Sequence, residues 1–509
     1  MSTRISRRDA LKLSGALGGM ALSAPVIAWD RLAPPRGLTQ KNSYFQSFQP
    51  FDPDTPVPQG EMRISLMGTS VIERRAQARS SVFVELGTSP DPLLNECFVF
   101  DCGSGAVSNY VAMNIPWSKL SKVFFTHLHG DHTSDLTHIY AFGPQGDRKY
   151  PLFIWGPSAS GVRNPDYGNA LSTQYQNPEY FQDGTLAFTY HFREMNRWHT
   201  ESQSFVPTSY VDTVGDGYDI FATELDWKEG YSRHWSTNSA VASPSDHDEG
   251  KDQWVAYWNK ALGVKVTFFP ALHGRNGAIS YRLDWQPAGL SMIFTGDTKP
   301  NNYLLRGGAQ EDPRPVDVYI GEVVVDPDIW ISRQTGISDP RDDTFVKGLV
   351  NAQAVQENSH TPQKAFGYVL HALQKANKAP RLAVGTHFQA TDDTIALAMN
   401  AIRSWYKGPV VIASDLMVLR VTAGAIEPYR AVVSDYSWSA NWDRGLRDTK
   451  PPKYGNDAVC NPYAPYGPLQ QFDQDLLQEV IDPMDYDPTG WQVQNRQWAE
   501  ACLNPKARR

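Results

Sequence analysis

The stretch Thr126-His127-Leu128-His129-Gly130-Asp131-His132 brings three imidazoles and one carboxylate into six consecutive positions. It directly follows the apolar run Val123-Phe124-Phe125, which predicts a buried strand that delivers these side chains to its C-terminal end. Neutral imidazole nitrogens and carboxylate oxygens are suitable ligands for Zn²⁺ or a similar divalent ion. The alternative is a polar loop that is rich in histidine by chance, but the whole chain has only 12 histidines in 509 residues. The stretch therefore predicts a metal site.

The spacing inside this stretch predicts two metal positions. Alternate residues of an extended loop point the same way, so His127 and His129 can hold one ion. Asp131 and His132 then turn toward a second position.

Three later residues are candidates to complete the site, namely His273, Asp297 and His387. Each follows a short apolar run and therefore lies where a predicted strand meets a loop. One such histidine alone is more often a satisfied polar residue than a ligand. The three together, in this order behind the histidine stretch, favour the ligand interpretation.

The strand pattern defines a core with additions. Short apolar runs that end in Gly or polar residues recur over about residues 62–420, which is typical of buried strands. This rhythm fails from about 159 to 262, which predicts a large insertion beside the site, either a lid or a substrate wall. A helix is predicted after Thr361 as cap and Pro362 in the first turn. Residues 29–61 are predicted to be an extended lead-in, and 421–509 a C-terminal extension.

The N-terminus resembles a twin-arginine export signal. Residues 6–12 read Ser-Arg-Arg-Asp-Ala-Leu-Lys, and a weakly apolar stretch rich in Gly, Ala and Ser follows up to Ala28. Removal of residues 1–28 is therefore predicted, with a disordered tail or an uncleaved membrane tether as alternatives. The resemblance implies a partner in the twin-arginine export machinery, a periplasmic or secreted protein, and no stable membrane anchor.

The net charge argues against long nucleic acid as a partner. The whole chain carries −8, and residues 1–28 carry a net +3, so the chain without them carries −11. An acidic surface repels polyanions on average, although a metal site can still bind one small anion.

The four cysteines do not form a disulfide framework. Cys97 and Cys102 flank a predicted strand, which favours buried thiols over metal ligands. Cys460 and Cys502 could pair in an oxidising compartment, or both could stay free.

Taken together, these motifs resemble metallo-β-lactamase-fold hydrolases, and more closely their ribonuclease Z and zinc arylsulfatase branch. The resemblance covers about residues 62–420 without the insertion. It rests on Gly68-Thr69-Ser70, Phe100-Asp101-Cys102-Gly103, the histidine stretch, His273-Gly274, Thr295-Gly296-Asp297-Thr298 and Thr386-His387-Phe388. It implies an α/β fold, a four-layer αββα sandwich.

The resemblance also implies a ligand set for two Zn²⁺, with other divalent metals such as Mn²⁺ possible. The first ion is assigned to His127, His129 and His273, the second to Asp131, His132 and His387, and Asp297 bridges the two. Two ions about 3.5–4 Å apart need a shared anionic ligand and can lower the pKa of a bridging water. Asp101 is expected to orient a ligand histidine.

Two positions narrow the branch. Asp297 stands where many β-lactamases of this fold have cysteine, and His129 stands where iron-binding, oxygen-reducing relatives have glutamate. Both favour a dizinc hydrolase over redox chemistry.

His360 and Glu322 are the candidate proton-transfer pair, and Asp131 is counted with them as catalytic. The ribonuclease Z pattern has a His-Glu pair where this chain has Gly321-Glu322, and a His-Ser-Thr-type turn where it has Ser359-His360-Thr361. The resemblance implies His360 as general acid, oriented by Glu322. The alternative is that His360 only caps the next helix or faces solvent.

The leading hypothesis is an exported dizinc hydrolase of a small phosphodiester, phosphate or sulfate ester. Hydroxide that bridges the metal ions would attack, and His360 would protonate the leaving oxygen. Tryptophans in the insertion suggest an aromatic leaving group or simply the core of that insertion. One alternative is a dizinc carboxylic ester, lactone or β-lactam hydrolase. The other is a non-catalytic binding protein of the same fold.

Overall fold

Two β-sheets organise the part of the chain that the structure, a computed structural model, describes. This part comprises residues 48–71, 77–169, 177–202, 208–209, 217–309, 315–390, 392–434 and 449–450. All of it belongs to the compact unit Phe48–Arg509. The predicted signal 1–28, the cysteines Cys460 and Cys502, and most of the predicted C-terminal extension lie outside the described residues.

The first sheet has the strand order β1-β18-β17-β2-β3-β4-β5-β6-β8-β9. Strands β4, β5, β6 and β8 run parallel to one another, while β2 pairs antiparallel with β3 and β17. Every residue of β2, β3 and β4 is buried, including the polar residues Arg63, Ser65, Glu85 and Glu96 that interrupt their apolar residues. The ten strands of this sheet are β1 (Gln49–Phe51), β2 (Met62–Gly68), β3 (Ser81–Leu86), β4 (Glu96–Phe100), β5 (Lys122–Phe124), β6 (Leu152–Pro157), β8 (Ile220–Leu225), β9 (Ser232–Ser236), β17 (Met417–Val421) and β18 (Ile426–Ala431).

The second sheet has the order β10-β11-β12-β13-β14-β15-β16. It is antiparallel from β10 to β13 and parallel from β13 to β16. Its strands are β10 (Val255–Asn259), β11 (Val264–Pro270), β12 (Ile279–Trp285), β13 (Leu290–Phe294), β14 (Val318–Glu322), β15 (Leu382–Thr386) and β16 (Val410–Ile412). A separate two-stranded ladder joins β7 (Thr208–Ser209) to β19 (Thr449–Lys450).

Helices cover the outer faces. The first group is α1 (Ala106–Ala112), α2 (Gly130–Thr133), α3 (Leu136–Phe142), α4 (Thr185–Met195) and α5 (Arg197–Ser202). The second is α6 (Asn302–Ala309), α7 (Pro327–Thr335), α8 (Asp343–Ser359), α9 (Gln363–Lys375) and α10 (Asp392–Arg403). Short 3₁₀ turns lie at Pro92–Leu94 and Trp117–Leu120. No described helix is both long and apolar enough to cross a bilayer.

The packing confirms the predicted four layers. One core lies between the sheets, where Phe100 of the first sheet contacts Tyr281 of the second. Inside it, Phe124 and Trp155 stack at 4.4 Å between ring centroids. A second core lies between the outer face of the first sheet and α1, α3 and α4. On the other side, α9 packs Phe366 against Tyr319 of β14. The order is therefore helices, sheet, sheet, helices.

The sequence pattern predicted that regular strands stop over about residues 159–262. This prediction is wrong for part of that segment. Strands β8, β9 and β10 lie inside it, and they extend the edges of both sheets. β9 is half exposed and carries Arg233 and His234, so its sequence lacks the apolar signal of a central strand. Whether the segment is an insertion stays a prediction.

The first sheet also extends beyond the predicted bounds of the catalytic domain, residues 62 and 420. The hairpin β17–β18 crosses the later limit, and β1 of the lead-in pairs parallel with β18. The sequence does not indicate β18 as a strand, because it contains Pro428 and proline is rare within sheets. The predicted helix after Thr361 is present as α9, although Pro362 is its cap residue and the Thr361 hydroxyl bonds Thr298 instead.

Candidate metal centre

The site lies where strands of both sheets end. β5 leads into the histidine stretch, with His129 at the cap position of the short helix α2. β11 leads toward His273, β13 toward Asp297 and β15 into His387. Parallel strands bring their carboxyl ends to the same edge of a sheet, so ligands that are far apart in sequence meet there.

The first ligand group is His127, His129 and His273. The His129 Nδ1 atom lies 3.0 Å from His127 Nε2 and 3.2 Å from His273 Nε2. Zn–N bonds of 2.0–2.1 Å at tetrahedral angles put ligand nitrogens about 3.3 Å apart. Both separations from His129 are close to this value, and all three ligand atoms lie within 4.8 Å of one another. His127 is buried and His129 is exposed, so this group is open to solvent on one side.

The second group is Asp131, His132, Asp297 and His387. Asp131 Oδ2 lies 3.6 Å from His132 Nε2 and 3.4 Å from His387 Nε2. Asp297 Oδ1 lies 3.3 Å from each of the same two nitrogens. Three members are buried and Asp131 is half-buried.

Asp297 stands between the two groups with one oxygen toward each. While Oδ1 faces the second group, Oδ2 lies 3.7 Å from His273 Nε2 and 4.0 Å from His127 Nε2. One carboxylate can therefore be shared by two cations, which is the arrangement predicted from the sequence.

The donor atoms fit a bound metal. Among the described residues, His132 Nε2 and Asp297 Oδ1 are buried and have no hydrogen-bond partner. Buried polar atoms are normally satisfied, because an unmade bond costs about 1–3 kcal/mol. A divalent cation would be the partner of both atoms. The chemistry of the set, imidazole and carboxylate only, suits zinc and related divalent ions.

The charges of the site are strongly coupled. Burial acts to raise the pKa of Asp297, but His387 and His132 hold it well below its ordinary value. Burial acts to lower the pKa of His387, yet the Asp297 and Asp131 carboxylates raise it to about 10. The pKa of His127 is lowered well below its ordinary value by burial and by His132. The carboxylates thus attract positive charge into a buried position, which a metal ion or imidazole protons can supply.

Asp101 orients His132 from behind. Its Oδ2 lies 2.8 Å from His132 Nδ1, and its Oδ1 accepts a hydrogen bond from Thr126 N at 2.8 Å. A hydrogen bond at Nδ1 leaves the lone pair of Nε2 directed at the second position. His273 is held in the same way, because its Nδ1 donates to Ser359 O at 2.8 Å.

We expect Asp101→Asn to weaken zinc binding about 10- to 100-fold, because an amide oxygen supports the ligand imidazole less well than a carboxylate does. A titration of metal-free protein against a competing chelator measures the affinity. Unchanged affinity would mean that Asp101 does not support the ligand His132 in metal binding.

His360 and Glu322 are brought to the same place. His360 Nδ1 contacts Glu322 Oε1, and Glu322 Oε2 accepts the Thr298 backbone N–H at 2.8 Å. His360 Nδ1 is 4.0 Å from Asp297 Oδ2, and its ring centroid is 4.9 Å from that of His273. Although burial acts to lower the pKa of His360, the carboxylate of Glu322 raises it above its ordinary value.

The missing histidine before Glu322 has a steric explanation. A Cβ on Gly321 would lie 2.7 Å from the Tyr319 ring and 2.9 Å from the Phe366 ring. These aromatic rings fill the space that a side chain at this position would occupy. Glu322 lies near a second histidine in addition to His360, with its Oε1 atom 3.4 Å from His387 Nδ1.

Every predicted site residue lies in this one cluster, although their individual roles stay predictions. The structure places together His127, His129, Asp131, His132, His273, Asp297, Glu322, His360 and His387. Cys97 and Cys102 are buried free thiols, and neither lies in a ligand group of the described residues. The role of the Ser359 carbonyl could not be predicted, because a backbone acceptor has no residue signature.

A buried carboxylate that sequence reasoning missed lies behind the His387 loop. Asp415 accepts hydrogen bonds from Thr69 Oγ1 at 2.7 Å, Ala78 N at 2.6 Å and Asn109 Nδ2 at 2.9 Å. These partners come from two distant parts of the chain, so no local motif identifies the set.

The same network reaches the backbone next to His387. Gln77 Nε2 donates to Thr69 Oγ1 at 2.9 Å and to Phe388 O at 3.0 Å, and Phe388 N donates to Thr69 O at 2.8 Å. His387 has a φ of 57°, a conformation that residues other than glycine rarely adopt. Such a conformation persists where surrounding bonds fix it.

Burial raises the pKa of Asp415 to about 6 from 3.8, although its hydrogen bonds act to lower it. The folded state therefore holds this proton more tightly than the unfolded state does. We expect the contribution of Asp415 to the unfolding free energy to be largest below about pH 4 and to fall, by roughly 3 kcal/mol at most, as the pH rises through about 6. Urea denaturation of the protein and of Asp415→Asn at several pH values measures the difference. A difference that does not vary between pH 4 and 7 would contradict this expectation.

A family model for the Metallo-beta-lactamase superfamily matches residues 94–144, which contain the histidine stretch. The chain is 32% identical over 99 residues to Ribonuclease Z of Trichodesmium erythraeum, which is 19% of this chain and 29% of that protein. It is 29% identical over 143 residues to Ribonuclease Z of Prochlorococcus marinus, 28% of this chain and 41% of that protein. The chain thus spans less than half the length of these curated relatives.

Among solved structures, human tRNase Z, short form, aligns with a TM-score of 0.39 and 16% identity over 70% of this chain and 98% of that one. The metallo-beta-lactamase fold protein YhfI from Bacillus subtilis aligns with a TM-score of 0.39 and 13% identity over 71% and 100%. The family model therefore matches the segment that carries the histidine stretch, and the observed four-layer order agrees with the fold that the resemblance implied.

Proposed function

We propose that the chain is a metal-dependent hydrolase that cleaves a small phosphodiester, phosphate or sulfate ester. The observation that carries the proposal is Asp297, whose two oxygens face two separate ligand groups. A shared carboxylate between two cation positions is the arrangement that two-metal hydrolases require.

Two bound divalent ions would supply an activated water near neutral pH and positive charge beside the growing negative charge of the ester. His127, His129 and His273 would hold one, and Asp131, His132 and His387 the other. Asp297 would join them.

The chain's own contribution to bond cleavage is His360. Its Nδ1 is engaged by Glu322, so Nε2 is the nitrogen that can give a proton to the leaving oxygen. Glu322 favours the protonated imidazole and fixes the ring, since Thr298 N anchors the other carboxylate oxygen. An alkoxide is a poor leaving group until it is protonated, so a positioned acid serves an ester substrate well.

We further propose that the protein is exported through the twin-arginine machinery, to the periplasm or outside the cell. The Arg7-Arg8 pair and the weakly apolar residues behind it support this proposal. Fusion of residues 1–28 to a reporter tests it: Arg7→Lys combined with Arg8→Lys should retain the reporter in the cytoplasm, and continued export would contradict it.

RNA is the second candidate substrate, because the curated relatives named above are Ribonuclease Z. The net charge of −8 argues against a long polyanion. Small esters are therefore our first choice.

A panel of chromogenic phosphodiester, phosphate, sulfate, carboxylic ester and lactam substrates, with one precursor tRNA, separates these candidates. Metal content is measured on the same sample, and metal-stripped protein is the control. We expect phosphorus or sulfur esters to be hydrolysed best, with activity lost on stripping and restored by zinc. Preference for carboxylic esters, lactams or tRNA would overturn the substrate class, and no turnover with zinc bound would favour a binding protein.

A further inference from the structure

The loop that carries His273 is held on two sides. On the inner side, Leu272 N donates to Thr298 Oγ1 at 2.9 Å and Lys299 N donates to Leu272 O at 2.8 Å. On the outer side, Arg275 pairs with Asp183, at 2.9 Å between Nη2 and Oδ2. Arg275 follows the ligand histidine by two positions, so this ion pair ties the His273 loop to Asp183.

Asp183 belongs to a paired segment that we call the rim ribbon, residues 158–164 and 177–183. Asn164 N donates to Glu179 O at 2.8 Å and Phe181 N to Val162 O at 3.0 Å, so the two stretches pair. Asp183 closes the base, because its carboxylate accepts Ser160 N at 2.9 Å and Ser160 Oγ at 2.8 Å.

The rim ribbon contacts the loop that carries His273. It begins where β6 ends, and β6 is the neighbour of β5, which leads into the histidine stretch. At the other end of the His273 loop, a Cβ on Gly277 would lie 3.3 Å from Ser158 O. The loop and the base of the ribbon are therefore in close contact.

The rim ribbon carries apolar groups beside charges that are paired, since its exposed Arg163 and Glu179 side chains lie 3.8 Å apart. The Arg275 guanidinium lies 4.7 Å from the centroid of the Phe181 ring, and its charge is matched by Asp183. Tyr180, next to Phe181, is 53% exposed, and Leu272, next to His273, is 39% exposed. Exposed aromatic and aliphatic side chains beside a metal-ligand group can bind an apolar part of a ligand.

His360 lies on the same side of the site, with its ring 4.9 Å from that of His273. If His360 protonates the leaving oxygen, the group attached to that oxygen extends past His273 toward the rim. We propose that the rim ribbon, fixed by Arg275, is the wall of the leaving-group pocket and that it selects aromatic leaving groups. Arg275 acts there as a specificity-determining positioning residue. This inference rests on the proposed ester hydrolysis.

The test compares Arg275→Ala with the unchanged protein on two ester types, with 4-nitrophenyl and with 2,2,2-trifluoroethyl leaving groups. We expect KM for the aryl ester to rise about tenfold and KM for the trifluoroethyl ester to stay within about twofold. We expect kcat and metal content to be nearly unchanged, because no ligand is removed. Phe181→Ala should act in the same direction.

The conservative change Arg275→Lys keeps a cation beside Asp183 and the Phe181 ring and leaves the bonds from Ser160 to Asp183 in place, so it should retain most of the discrimination even if Arg275→Ala folds poorly. Equal changes in KM for both esters, or no change, would overturn the pocket wall. A joint loss of kcat and metal would show that Arg275 only supports His273, which also overturns it. If the unchanged protein with zinc hydrolyses neither ester, the proposed function itself fails and this inference fails with it.

Discussion

Asp297→Ala is expected to lower ester hydrolysis at least about 10³-fold and to reduce the bound metal from two ions per chain to one or none. The change removes the one carboxylate that faces both ligand groups. Two cations without a shared anion repel each other, and several kcal/mol of charge stabilisation at the reacting group would be lost. Turnover and metal content measured on the same preparation check this expectation.

Asp317→Asn is the matched control. Asp317 is also a buried aspartate next to a strand of the second sheet, where it accepts Ser291 N at 2.8 Å and pairs with Arg381 at 2.8 Å. It lies before β14, whereas the ligands follow the carboxyl ends of the strands. This variant should be less stable but should keep two ions and near-normal turnover. Two ions retained in Asp297→Ala would contradict the bridging role.

His360→Ala is expected to slow substrates with poor leaving groups by roughly 10²–10⁴-fold and nitrophenyl esters by less than about tenfold. A nitrophenolate leaves without a proton, whereas an alkoxide does not. The dependence of log kcat on the pKa of the leaving alcohol should therefore become steeper. Metal content should remain near two ions, because His360 is not among the seven ligands assigned to them. It belongs to a third group, with Asp297, Glu322 and His387, in which it contacts the Glu322 carboxylate.

Glu322→Gln separates orientation from proton donation. The amide keeps a hydrogen-bond partner for the His360 ring, but it removes the negative charge that raises the pKa of His360. The variant should show the same trend with leaving-group pKa as His360→Ala, with a smaller loss. An equal loss for all leaving groups in both variants would mean that the pair supports the ligands rather than the leaving oxygen.

The sequence was most informative where ligands follow buried strands. Each ligand comes after an apolar run, and such runs end at the same edge of their sheets, so His273, Asp297 and His387 could be placed before any coordinates. No single residue of this kind was sufficient, because a strand-end histidine is more often a satisfied polar residue than a ligand; the order of all three behind the histidine stretch favoured the ligand interpretation.

The sequence did not indicate the strands at and beside the sheet edge, or the hydrogen bonds between residues far apart in the chain. In β8, beside the edge strand β9, Glu224 is buried because Leu186 N and Arg233 satisfy it, so Thr223 and Glu224 interrupt the apolar residues of the strand. The bond between Thr69 and Asp415 joins residues 346 positions apart. Only the folded chain shows that Thr69 and Asp415 are partners, because the sequence around each of them resembles that of an ordinary loop.

Anomalous diffraction at the zinc edge, from crystals of the zinc-loaded protein, tests the two-ion site most directly. We expect two peaks about 3.5–4 Å apart, one among His127, His129 and His273 and the other among Asp131, His132 and His387, with Asp297 between them. A single peak, or two peaks that do not share Asp297, would contradict it.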